Sequence, residues 1–137
     1  MPCLSGSFQP GIGPLIDLGI AKSGTFIPNQ PLKYNSFPAL IDTGASATCI
    51  SPSVAQTVGL QPIGKRPMVS ATQAVPVNIY LVDLILTFGA AVFVVSGAQV
   101  MEFVPLGGSP FQILVGRDLI CRGTLTMSFD GHFTFSI

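Results

Sequence analysis

An all-β domain with one or two short helices is the fold class this sequence predicts, and three stretches predict it. Residues 84–100 carry no charge, are rich in Val, Ile and Phe, and are split at Gly89-Ala90, which fits two buried strands joined by a tight turn. Residues 124–129 and 132–137 alternate around Asp130-Gly131, a strong hairpin signal. Helix signals are confined to residues 51–59 and to a turn over 116–123. With 137 residues, the chain has the usual size of one domain.

Taken in order, residues 1–13 are rich in Gly, Pro and Ser and lack periodicity, so they are expected to be a flexible leader ahead of a domain spanning 14–137. Residues 14–21 form a first strand, with Asp17 facing solvent. A connection through Asn29-Gln30-Pro31 leads to an approach strand over 37–41. That strand delivers a carboxylate into a turn, Ala39-Leu40-Ile41-Asp42-Thr43-Gly44-Ala45-Ser46. Held there among backbone N–H groups and hydroxyls, Asp42 is the best-placed acid-base group in the chain. Residues 47–50 return as a strand.

Ser51 then suits a helix cap and Pro52 the first helical position, Val54, Ala55 and Val58 recur at helical spacing, and Gly59 suits the exit. A loop over 60–64 and a solvated pair, Lys65-Arg66, precede a hairpin over 67–77 with a small, polar centre. Residues 78–88 form a long strand or a bent pair, with Asp83 as an edge or bend carboxylate, and 91–96 form another strand. Glu102, Phe103 and a Gly/Pro-rich loop over 105–110 follow. Residues 113–115 read as a buried strand, and 116–123 as a helical turn ended by Gly123.

Several chemistries are excluded. Six Lys plus Arg balance six Asp plus Glu, so there is no electrostatic footprint for nucleic acid or an anionic membrane. The 84–100 run approaches membrane-span length, but its glycines and its residue types favour core strands. His132 lies beside a hairpin turn and no Gly-x-Ser-x-Gly elbow exists, which argues against a serine hydrolase. One His, scattered acids and three unclustered cysteines offer no metal-ligand spacing, and no cofactor motif is present. Cys3, Cys49 and Cys121 cannot all pair within one chain. Together with the absence of a secretion signal, this favours a reduced, cytoplasmic setting, with Cys49 and Cys121 as small core residues. Only 9% of residues are charged against 48% hydrophobic, which favours burial by self-association.

Two apolar residues before Asp42-Thr43-Gly44, small residues after it, and the later run Ile113-Leu114-Val115-Gly116-Arg117-Asp118 together resemble the single-domain, non-viral retropepsin-like aspartic proteases. The resemblance spans residues 37–137. It implies a closed barrel, working as a homodimer, in which Asp42 from two chains activates water against a peptide or protein substrate without metal, cofactor or covalent intermediate. Thr43 would bond across the dimer, Gly44 would keep the turn tight, and Ser46 would bond the outer carboxylate oxygen. Met68, Val69, Ser70, Ala71, Thr72, Gln73 and Ala74 would form the substrate-binding flap. Gly116 would pass close behind the catalytic turn, with Arg117, in a structural ion pair, and Asp118 as support. A terminal strand would offer its hydrogen-bonding groups to the partner. The flap tip departs from the Gly-rich viral pattern. A second reading is therefore a retropepsin-fold module that binds peptide or only dimerises, with little or no catalysis.

Overall fold

The computed structural model describes residues 2–69 and 71–137, so Ser70, at the expected flap tip, lies outside the described residues. The described elements are β1 (Cys3–Ser7), β2 (Leu15–Lys22), β3 (Asn35–Ile41), β4 (Cys49–Ile50), α1 (Pro52–Val58), β5 (Gly64–Val69), β6 (Ala74–Phe88), β7 (Ala91–Glu102), β8 (Ile113–Val115), α2 (Arg117–Ile120), β9 (Thr124–Met127) and β10 (His132–Ser136). Seven strands run in the order β2-β3-β8-β4-β7-β6-β5. Because β2 also pairs with β6, the first six close into a barrel. β5 pairs with β6 outside that closure, so the β5–β6 hairpin extends beyond the barrel wall.

Alternation along β2 sends Ile16, Leu18 and Ile20 inward. Leu18, Ile20, Ile50, Val82, Leu86, Val100 and Ile113 are all completely buried. Each such side chain contributes roughly 1.5–3 kcal/mol relative to exposure. The uncharged 84–100 segment is accounted for by β6 and β7, which meet at the two-residue turn Gly89-Ala90, where Gly89 adopts φ 63°. Among the described residues no helix is long and apolar enough to cross a membrane. Helix α1 starts and stops on its expected signals. The Ser51 hydroxyl accepts from Val54 N at 3.2 Å, and Gly59 closes the helix at φ 78° with its N–H on Ala55 O.

Four local expectations are corrected. Residues 3–7 lie in a strand, β1, which pairs along its length with β10. Its sequence, Cys-Leu-Ser-Gly-Ser, has no β-branched residue, and its order comes from the distant partner and from Phe133, whose ring fills the space above Gly6. The last strand, β10, is the middle member of a three-stranded sheet β1-β10-β9, so both its edges are already paired within the chain. The β9–β10 turn is longer than Asp130-Gly131. Ser128 N bonds His132 O at 2.9 Å, Gly131 N bonds Ser128 O at 3.1 Å, and Phe129 leaves the strand to become fully exposed. Cys121 is exposed at the end of α2 rather than in the core.

Asp83 sits at a bend, as expected, but it is only 3% exposed. The register slips there, with Val82 opposite Ala98 but Leu84 opposite Val95. Gly97, at φ 66°, takes up the extra residue, and its N–H bonds Asp83 Oδ1 at 2.9 Å.

Candidate active site

Strand β3 runs parallel to β8, with Ile41 beside Val115, so the chain leaves the barrel wall at Asp42 with its preceding strand fixed on one side by β2 and on the other by β8. The Asp42 N–H bonds Val115 O at 2.9 Å, which anchors the residue's backbone. Its carboxylate is half-buried, and Oδ1 accepts from Gly44 N at 2.9 Å. Among the described residues no donor reaches Oδ2. A turn closed by Ala45 N on Asp42 O at 3.2 Å keeps these groups together. A Cβ on Gly44 would stand 3.2 Å from Asp42 Oδ1, so glycine gives the carboxylate room in this tight turn.

The second motif locks this turn from behind. At Gly116 a Cβ would fall 2.5 Å from the Ala47 carbonyl carbon and 2.7 Å from its oxygen, so only glycine lets the two segments pass. Arg117 N bonds Ala45 O at 2.8 Å, and Arg117 Nη1 bonds Thr43 O at 2.9 Å. The ion pair implied for Arg117 is not formed. Among the described residues the one ion pair joins His132 and Asp130, and the guanidinium instead serves as a donor to the Asp42 turn.

Thr48 is the residue that the sequence reading passed over. Completely buried, it donates its hydroxyl to Asp118 Oδ1 at 2.7 Å, accepts from Gly116 N at 3.2 Å, and gives its own N–H to the Asp118 carboxylate at 3.0 and 3.1 Å. Asp118 Oδ1 also takes Leu119 N at 2.8 Å. This multiply bonded carboxylate ties α2 to the segment leaving the Asp42 turn. The available signal was a Thr in an otherwise apolar return segment combined with the acid of the Gly-Arg-Asp run.

Ser46 is exposed and makes no hydrogen bond among the described residues, so the expected contact with the outer oxygen of Asp42 is not formed there. The flap hairpin is present, with Val69 opposite Ala74. Met68 is half-buried, and Val69, Ala71, Thr72, Gln73 and Ala74 are exposed. At the hairpin's base Tyr80 donates to Glu102 at 2.8 Å, joining β6 to the end of β7. No group of three or more potential metal ligands is found among the described residues.

Burial, and then the charges of Asp118 and Asp42, push the Cys49 thiol up from 9.0 to about 11. Above pH 9 an unfolded chain loses that proton while the folded one keeps it. Stability linked to Cys49 is therefore complete below pH 9 and lost as pH rises toward 11. At pH 8 Ellman's reagent is expected to titrate Cys3 and Cys121 rapidly and Cys49 only on unfolding. Three equally fast thiols would contradict this packing.

A search among curated proteins found no significant match. The crystal structure of a retropepsin-like aspartic protease from Rickettsia conorii aligns with 97% of this chain and 89% of its own, with a TM-score of 0.62 at 14% identity, a likeness of fold. The retroviral protease-like domain of Ddi1 from Leishmania major aligns with 84% of this chain and 82% of its own, with a TM-score of 0.45 at 11% identity. Residues 31–119, which contain the Asp42 turn and the Gly116-Arg117-Asp118 run that braces it, match the family described as aspartyl protease, and the chain belongs to that family.

Proposed function

We propose that this chain is an aspartic endopeptidase whose active site is completed by a second copy of itself. The observation that carries the reading is the Asp42 carboxylate, with its backbone anchored, one oxygen bonded to Gly44 N and the other without a donor. One such acid can accept or donate a proton. Peptide hydrolysis needs both acts in one site.

Two Asp42 carboxylates about 3 Å apart cannot both ionise cheaply, so the pair holds one proton over an acidic to neutral range; aspartic proteases are the standard example of this effect. The ionised member takes a proton from water as it attacks the scissile carbonyl, and the protonated member gives its proton to the carbonyl oxygen. The tetrahedral diol then collapses with proton transfer to the leaving amine. Thr43 links the two turns, and Arg117, through Thr43 O, orients that link. The flap residues Met68, Val69 and Ala71 to Ala74, together with Ser70, cover the substrate and exclude water. Val69, on the flap arm and 75% exposed, favours an apolar side chain on the substrate.

Measuring cleavage of an unstructured protein at pH 4–7 across enzyme dilution tests this reading. Specific activity is expected to fall as dimers dissociate, in step with solution mass. Activity that persists undiminished in a strict monomer would overturn it.

A further inference from the structure

Strand β6 changes partners at Ile79, which lies opposite Met101 of β7 on one edge and opposite Gly64 of β5 on the other. Toward the barrel, residues 79–88 pair with β7; toward the tip, residues 74–78 pair with β5 alone among the described residues. Burial follows the same boundary, with Ile79 and Tyr80 buried and Ala74, Val75 and Pro76 exposed. The outer part is thus a two-stranded ribbon, a unit that is marginal by itself in water. Its angle to the barrel has to be set at Ile79.

One carboxylate grips both sides of that point. Glu102 Oε1 accepts from the Tyr80 hydroxyl at 2.8 Å, and Oε2 accepts from Asn78 Nδ2 at 3.4 Å. Asn78 stands on the ribbon side of Ile79 and Tyr80 on the barrel side, and strand alternation puts both on one face. No cation pairs with Glu102 among the described residues, so these two donors hold it. Tyr80 is 4% exposed, and burial together with its bond to Glu102 pushes the phenol up, which keeps it a donor. Glu102 is itself fixed from the other side. Its neighbours Met101 and Phe103 donate their N–H groups to Thr48 O at 3.1 Å and Ile50 O at 2.9 Å. Thr48 is the residue bonded to Asp118 and Gly116 behind the Asp42 turn. A continuous run of bonds therefore leads from that turn through Glu102 to the base of the hairpin.

We propose that Glu102 is a positioning residue for substrate binding, clamping the β5–β6 hairpin at its base and tying its angle to the Asp42 turn. The inference rests on reading that hairpin as the flap over a bound peptide. Glu102 acts through Asn78 and Tyr80 rather than on the substrate. A ribbon already held in place loses less freedom when peptide binds beneath it.

Amide hydrogen exchange of the full chain, followed by mass spectrometry, tests the clamp without any cleavage. In Tyr80→Phe and Glu102→Ala, residues 64–69 and 74–78 should exchange at least about tenfold faster, as expected for losing a bond to a charged group, with β2 and β3 unchanged. Tyr80→Phe keeps the buried ring and so preserves the barrel. Glu102→Gln, which still accepts from Tyr80, should stay within about threefold of the wild type. In peptide cleavage, Tyr80→Phe and Glu102→Ala should raise KM about tenfold at nearly unchanged kcat. Hairpin exchange unaltered in both variants, exchange accelerated equally in β2 and β3, or a loss confined to kcat would each overturn the proposal. A wild-type chain that cleaves nothing would overturn the protease reading instead, since the exchange comparison judges the clamp without it.

Discussion

Asp42→Asn is expected to lower kcat/KM by at least about 10³-fold while leaving fold and dimerisation intact. Asn keeps the size of Asp and can still accept from Gly44 N, so the turn survives. It can neither take a proton from water nor hold one for the carbonyl. The sharper measurement mixes chains. If each active site needs two Asp42 carboxylates, adding an equal amount of mutant reduces the activity per wild-type chain to about half, and a nine-fold excess to about one tenth, through random pairing. Activity per wild-type chain that ignores added mutant would mean that each chain works alone. Equal activity in the pure mutant would remove Asp42 from catalysis altogether.

Gly116→Ala is expected to cost about 3 kcal/mol or more and to disable the site at the same time. The new methyl would overlap the Ala47 backbone at 2.5 Å, and backbone cannot rotate aside as a side chain can. Relief requires separating the segment that gives Asp118 to Thr48 from the turn that carries Asp42. The bonds Arg117 N to Ala45 O and Asp42 N to Val115 O lie on either side of that gap. Urea unfolding of the variant should show a clearly lower midpoint, and peptide cleavage measured well below that midpoint should still be impaired. A variant with native midpoint and native activity would show that the close approach is unimportant.

Where structure follows from neighbours in sequence, it was legible. Helix α1 announces itself through Ser51, Pro52 and Gly59, and the Asp42 turn and Gly116 through compact motifs whose spacing survives in the fold. What was not legible depends on partners far along the chain. Thr48 and Asp118 are 70 positions apart, so a Thr in an apolar return segment could be noticed locally but not matched to the acid it bonds. Arg117 follows its motif but finds a carbonyl where the family resemblance implied an acid. Asp83 is a charge inside an apolar run, and only the slipped register of β7, with Gly97 at positive φ, explains how it is buried. Residues 3–7 lack strand propensity and are ordered through β10.

That last pairing sets an order of events during synthesis. Cys3 lies opposite Ser136 and Ser7 opposite His132, so β1 emerges long before the strand it needs. At about 5–20 residues per second the wait is on the order of ten seconds. The Asp42 turn, by contrast, has all its bonding partners once Asp118 has been made. The barrel and its Asp42 turn can therefore assemble first, and the small sheet of β1, β10 and β9 closes last. Among the contacts of this fold it is the most non-local, and it is where slow folding phases should concentrate.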